Sequence, residues 1–190
     1  PNESLFSDDS HCERESKVFL DLLNNNGITT TVSFGSVHVN SVEYLFREAH
    51  NRNMCVIAGN VLMDRNAPKT VLEKADKSYL NSKEIIDRWH NVGRCKYAIT
   101  PRFAITSTPE LMEVSQSLIE ENNSCYIQTH LSENIDEIKT TLELFPEHKN
   151  YLSIYDKYKM LSNKTLLAHS IHLKEGEIER MKESRSIAVH

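Results

Sequence analysis

At 190 residues the chain is long enough for about one domain with a substantial core, read here as a single domain over 1–190. Hydrophobic residues make up 39% and charged residues 26%, with only 5 Gly and 5 Pro, which excludes collagen-like, low-complexity and disordered chains. A net charge of -5 without a basic stripe argues against a nucleic-acid or anionic-membrane partner, and no apolar run nears the ~20 residues of a membrane span.

The opening segment PNESLFSDDS has neither a basic nor an apolar signal region, so a cytoplasmic location is expected. The missing methionine reads as an internal start. Val18, Phe19, Leu22 and Leu23 form an apolar helical stripe that ends at Asn26-Gly27, a helix stop. Six short runs, rich in β-branched and apolar residues, then read as strands: Ile28–Phe34, Met54–Met63, Lys96–Thr100, Cys125–His130, Thr165–His169 and Ser186–His190. Helical patterns fill the gaps. Asn40 or Ser41 is expected to cap the first, which carries Val42, Leu45, Phe46 and Ala49. Asn81 or Ser82 is expected to cap the second, with Ile85, Ile86 and Trp89 on one face and Gly93 closing it. Thr108-Pro109 opens the third, and Asn134 the fourth, with Ile135, Ile138, Leu142 and Phe145 inward. The less regular 146–164 stretch holds a short helix around Tyr151–Leu161, and a last helix carries Ile178 and Met181.

Six strands joined by five helical crossovers imply a parallel α/β sheet. Two architectures fit: a doubly wound open sheet, or part of a (β/α)8 TIM-type barrel, whose full form takes ~250 residues. No glycine-rich phosphate loop follows any strand, which removes support for the nucleotide-binding open sheets. Cys12, Cys55, Cys95 and Cys125 show neither zinc-ribbon nor disulfide-scaffold spacing and are expected as buried free thiols.

The strand ends are more informative. Lys96–Thr100 runs into Pro101-Arg102-Phe103, and Cys125–Gln128 into Thr129-His130 with Glu133 three residues on. Two further strands end in His169 and His190, while the first two lead into Val37-His38 and Asp64-Arg65-Asn66. In a parallel barrel those ends share one mouth, where active sites are built. Imidazoles there suit zinc or iron, and a carboxylate beside them can move protons from an activated water to a leaving group. Arg102-Phe103 offers a guanidinium for a carbonyl or anion and an aromatic face for a flat ring. His148 and His172 read as surface residues.

Met63-Asp64-Arg65-Asn66-Ala67-Pro68, Ile99-Thr100-Pro101-Arg102-Phe103, Gln128-Thr129-His130-Leu131-Ser132-Glu133-Asn134 and Leu167-Ala168-His169 resemble the guanine deaminases of the amidohydrolase superfamily. The resemblance extends to Phe34-Gly35-Ser36-Val37-His38 and to Lys149-Asn150-Tyr151-Leu152 with Tyr155-Asp156. It implies that His130 is a ligand of a single catalytic zinc and also contacts substrate. Glu133 would be the proton shuttle and contact the purine. His169 would hydrogen-bond the attacking oxygen or the tetrahedral centre, and Arg102 and Phe103 would hold guanine. The implied reaction converts guanine and water to xanthine and ammonia, in a protein expected to form homodimers.

That family also carries an H-x-H ligand pair on its first strand and an Asp ligand on its eighth, and this sequence has no H-x-H. The chain is therefore expected to represent roughly strands 2 to 7, truncated at both ends and inactive alone, since catalytic zinc normally takes three protein ligands. Two other readings remain: a related hydrolase acting on another amino-heterocycle, and a truncated barrel without catalysis. The H-x-E and P-C-x-x-C pattern of the cytidine-type zinc deaminases is absent.

Overall fold

The computed structural model describes residues 2–189, which one parallel sheet organises. Its strands are β1 (Thr30–Phe34), β2 (Cys55–Gly59), β3 (Val61–Leu62), β4 (Cys95–Pro101), β5 (Tyr126–Leu131), β6 (Thr165–His169) and β7 (Ile187–Val189). The order is β1-β2-β4-β5-β6-β7 with β3 also on β4, and every pairing is parallel. β2 and β3 are two halves of the single run expected over 54–63. They part at Asn60, whose buried amide bonds Ser82 Oγ at 3.4 Å and accepts from the Tyr97 hydroxyl. Together they fill one position, so the sheet has six. His190, expected to close the last strand, lies outside the described residues.

Whether this sheet is open or curled is settled by one side chain. β1 and β5 stand three positions apart, which in a flat sheet is about 14 Å. Yet Gln128 Nε2 on β5 donates to Ser33 O on β1 at 3.0 Å and to Thr100 Oγ1 on β4 at 2.9 Å. A glutamine cannot bridge 14 Å, so the strands curl around a polar interior. The architecture is a partial (β/α)8-type barrel, as expected for the second of the two alternatives.

The helices α1 (Asp9–Asn25), α2 (Asn40–Asn51), α3 (Ala75–Trp89), α4 (Pro109–Glu121), α5 (Ile135–Leu144), α6 (Tyr151–Lys157) and α7 (Glu175–Ser184) occupy the expected gaps. α1 stops at Asn26, and Gly27 follows in the left-handed region at φ +74°. Thr108 caps α4 through Leu111 N at 3.2 Å with Pro109 in its first turn, and Asn134 caps α5 in a reciprocal pair with Glu137.

Several expectations on the helices need correcting. α2 begins after Val39 without a side-chain cap, because the Ser41 hydroxyl is already engaged as acceptor for Ser36 N at 3.0 Å. α3 begins at Ala75 rather than near Asn81, and it ends at Trp89, short of Gly93. Its buried stripe opens with Ala75, Ser78 and Ser82, small residues that let the helix approach closely but look polar in sequence. In α1, Phe19 and Leu23 join the core, whereas Val18 and Leu22 stay exposed beside a cavity of about 550 Å³ at the β1 edge. Ile135 is 62% exposed, not inward.

The core divides into two main apolar clusters. One centres on Phe46, Ile85, Tyr97 and Leu111, the other on Phe145, Tyr151, Ile154 and Leu167. Cys12, Cys95 and Cys125 are buried free thiols, while Cys55 is half-buried. Burial pushes the Cys95 thiol up to about 11 and Cys125 up to about 12, which makes both unreactive. No helix of the described residues is long and apolar enough to cross a membrane.

Candidate active site at the strand C-termini

β4, β5 and β6 run parallel in adjacent positions, so Arg102, His130 and His169, which end them or follow them, emerge on one rim. His130 is the centre. Its Nδ1 lies 2.7 Å from the carbonyl oxygen of Arg102, so Nδ1 carries the proton and Nε2 keeps its lone pair for an external electrophile. Burial pushes the imidazole below its ordinary pKa against the opposing effect of that carbonyl, which favours the neutral ring.

Three rings surround it. The His169 ring stacks at 5.3 Å and 25°, Phe34 sits at 4.5 Å, and Phe103 meets it edge-on at 6.1 Å. Glu133 Oε2 lies 3.6 Å from His169 Nε2, so the carboxylate and this second imidazole face each other across the rim. Both groups are half-open to solvent. His169 has φ +70°, Ser170 +52° and Ser132 +52°, left-handed conformations that non-glycine residues rarely adopt. They are held by Ser170 N on Leu131 O at 2.8 Å and Ile171 N on Ser132 O at 3.2 Å. The turn aims His169 back toward His130. Glu137 fixes the neighbouring turn, its carboxylate accepting from Glu133 N at 2.9 Å.

A cavity of about 260 Å³ opens here, lined by Glu3, Phe34, Gly35, Val61, Arg102 and His130. The Arg102 guanidinium stands 5.6 Å from the Phe103 ring. Arg102, Phe103, His130, Glu133 and His169 are thus brought into one neighbourhood. Phe34 and Glu3 were missed as site residues. Phe34 carried a legible signal, an aromatic at a strand C-terminus, whereas Glu3 carried none.

Other polar strand ends do not reach the cavity. Asp64, Arg65 and Asn66 fasten the loop after β4. Asp64 accepts from Thr108 N at 2.9 Å, Arg65 donates to Ala104 O at 2.8 Å and Asn66 to Ile105 O at 2.8 Å. His38 does not line the cavity, and its buried Nε2 has no hydrogen-bond partner among the described residues. His172 is exposed as expected, but His148 is 9% exposed and packs edge-on against Phe145.

As a metal position the rim is partial. His130 has the protonation a ligand needs, but among the described residues no group of three or more His, Cys, Asp or Glu converges to hold an ion.

A curled parallel sheet with imidazole, carboxylate and guanidinium at its C-terminal rim defines part of an α/β barrel with polar groups where such barrels build their sites. The chain matches the amidohydrolase family over residues 17–189, and it belongs to that family. Guanine deaminase of Escherichia coli is 46% identical over 186 residues, 98% of this chain and 42% of the relative. The solved structure of E. coli guanine deaminase superposes with TM-score 0.98 at 45% identity, over 100% of this chain and 44% of that one. A guanine deaminase from C. acetobutylicum, solved with guanine in its active site, gives TM-score 0.96 at 31% identity, over 100% and 46%. The chain therefore spans less than half the length of these relatives. A zinc-complexed atrazine chlorohydrolase from Arthrobacter aurescens TC1 shares the fold at 17% identity, TM-score 0.85, over 96% and 43%.

Proposed function

We propose that this chain supplies the substrate-holding wall and the proton-handling carboxylate of a zinc-dependent guanine deaminase, which converts guanine and water to xanthine and ammonia. The observation that carries the reading is the 2.7 Å bond from His130 Nδ1 to Arg102 O. It ties the residue suited to hold a metal to the residue suited to hold a purine carbonyl. The likeness to guanine deaminases over the whole chain supports the same reading.

Each side chain has a role its chemistry allows. Arg102 donates from its guanidinium to the purine carbonyl, and Phe103 covers one face of the ring. His130 offers Nε2 to the metal. Zinc, when bound, acidifies a water and acts as Lewis acid. Glu133 takes a proton from the attacking water as the C2–O bond forms and passes it to the amine, whose C2–N bond then breaks to release ammonia. His169, facing Glu133 at 3.6 Å, hydrogen-bonds the oxygen added at C2.

The test uses the complete protein that contains this chain, assayed by the absorbance change from guanine to xanthine. Arg102→Met is expected to cut turnover by about a hundredfold or more, the scale of losing a charged substrate contact. Guanine turnover unaffected by that change, or none in the unaltered protein, sinks the proposal.

A further inference from the structure

Between the rim and the core sits a buried phenol whose shorter bonds reach the segments that carry the site. Tyr155 on α6 is fully buried, and its hydroxyl meets the segments carrying the site from both sides. It donates to the His130 carbonyl at 2.8 Å and accepts from Ala104 N at 3.2 Å. Thr129 Oγ1 lies 3.1 Å away and also reaches Arg102 O at 3.2 Å. The Tyr151 hydroxyl, at 3.4 Å, is the most distant partner.

Counting protons clarifies what this does. A phenol has one proton, and its shortest bond, to His130 O, uses it. Its lone pairs then take the Ala104 N–H and one hydroxyl. Arg102 O meanwhile accepts from His130 N at 3.0 Å and from His130 Nδ1 at 2.7 Å. The two-residue segment Arg102-Phe103 is therefore pinned at both ends to β5: at Arg102 O directly by His130, and at Ala104 N through Tyr155. Between the pins the Phe103 backbone is fully extended, so it has little slack. Burial holds the phenol protonated by pushing its pKa far up, so this donor pattern is kept across the working pH range.

From this geometry we infer that Tyr155 is a positioning residue. Its hydroxyl sets the distance between the Arg102–Phe103 wall and His130, and so the fit of the purine between them. The inference rests on the proposed guanine reading for its substrate, but the clamp itself does not. A packing role alone would need the ring and not the hydroxyl.

Tyr155→Phe removes only the hydroxyl. In the complete protein it is expected to raise KM for guanine about tenfold with kcat changed less than threefold, because both ground and transition states lose the aligned wall. Zinc content is expected to stay unchanged. Tyr151→Phe, a neighbouring buried phenol that bonds Tyr155 rather than the wall, is the matched control and is expected to leave KM within twofold. A Tyr155→Phe protein with lowered thermal stability but unaltered KM overturns the inference. A second readout separates this from failure of the guanine reading. In this chain, exchange of the Ala104 amide measured by NMR is expected to quicken at least tenfold in Tyr155→Phe while that of Ile99 does not. Unchanged Ala104 exchange overturns the clamp even if guanine is the substrate. Faster exchange upholds the clamp even if guanine proves not to be.

Discussion

Gly59 ends β2 where a side chain has no place. A Cβ there would lie 1.7 Å from the Ala98 carbonyl oxygen and 2.7 Å from Thr100 Oγ1. The first is backbone of the neighbouring strand, which cannot yield without breaking the ladder. Gly59→Ala is therefore expected to cost about 3 kcal/mol or more. For a chain of this length that lowers Tm by roughly 6–12 °C, measurable by calorimetry. An unchanged Tm would show that β2 and β4 can separate locally. In sequence Gly59 sits inside an apolar run and reads only as a weak point in a strand; that β4 crosses so close is a fact of three dimensions. The same holds for Asp64, Arg65 and Asn66. Their chemistry is legible, but only the fold shows it spent on fastening the Ala104–Thr108 loop.

The junction of α3 with the sheet hangs on His90, which the sequence left without a role. Its Nδ1 accepts from Tyr97 N at 3.0 Å, and Nε2 meets Ser124 Oγ at 3.0 Å, an arrangement only the neutral ring can make. Burial, helped by the positive charges of Lys96 and Lys164, lowers its pKa from the ordinary 6.5. The unfolded chain thus takes up a proton first as pH falls. The stabilising effect is complete above about 6.5 and is lost as pH drops from there through the folded value. Tm is expected to decline between pH 7 and pH 5, and His90→Asn, which keeps an acceptor for Tyr97 N, is expected to make that decline shallower. Parallel curves for the two proteins would remove His90 from the account. At this same scale α3 begins seven or eight residues earlier than expected, because buried serines count as polar in a periodicity but as small in a packed helix.

For the molecule as a whole, the number of convergent ligands decides what the chain can do alone. With one imidazole prepared for an ion and no group of three ligating side chains among the described residues, zinc has too few partners for a tight site. The 190-residue chain, given stoichiometric zinc and guanine, is expected to form no xanthine above background, while the complete protein does. Turnover by the short chain close to that of the long one would contradict this.

Local chemistry was enough to establish a parallel α/β chain and the positions of its six strands. Each run is short and β-branched, each gap has a helical period, and capping residues such as Thr108 and Asn134 act over three or four residues. The motif around His130 and Glu133 was readable for the same reason. What adjacent residues cannot encode is distance across the sheet. The curl that brings Gln128 to Ser33, the Arg102 carbonyl that selects the His130 tautomer, and Phe34 and Tyr155 closing around that ring all join segments 25 to 96 residues apart. Only tertiary packing brings such segments together, because hydrogen bonds and ring contacts act over a few ångströms of space, whatever the separation along the chain.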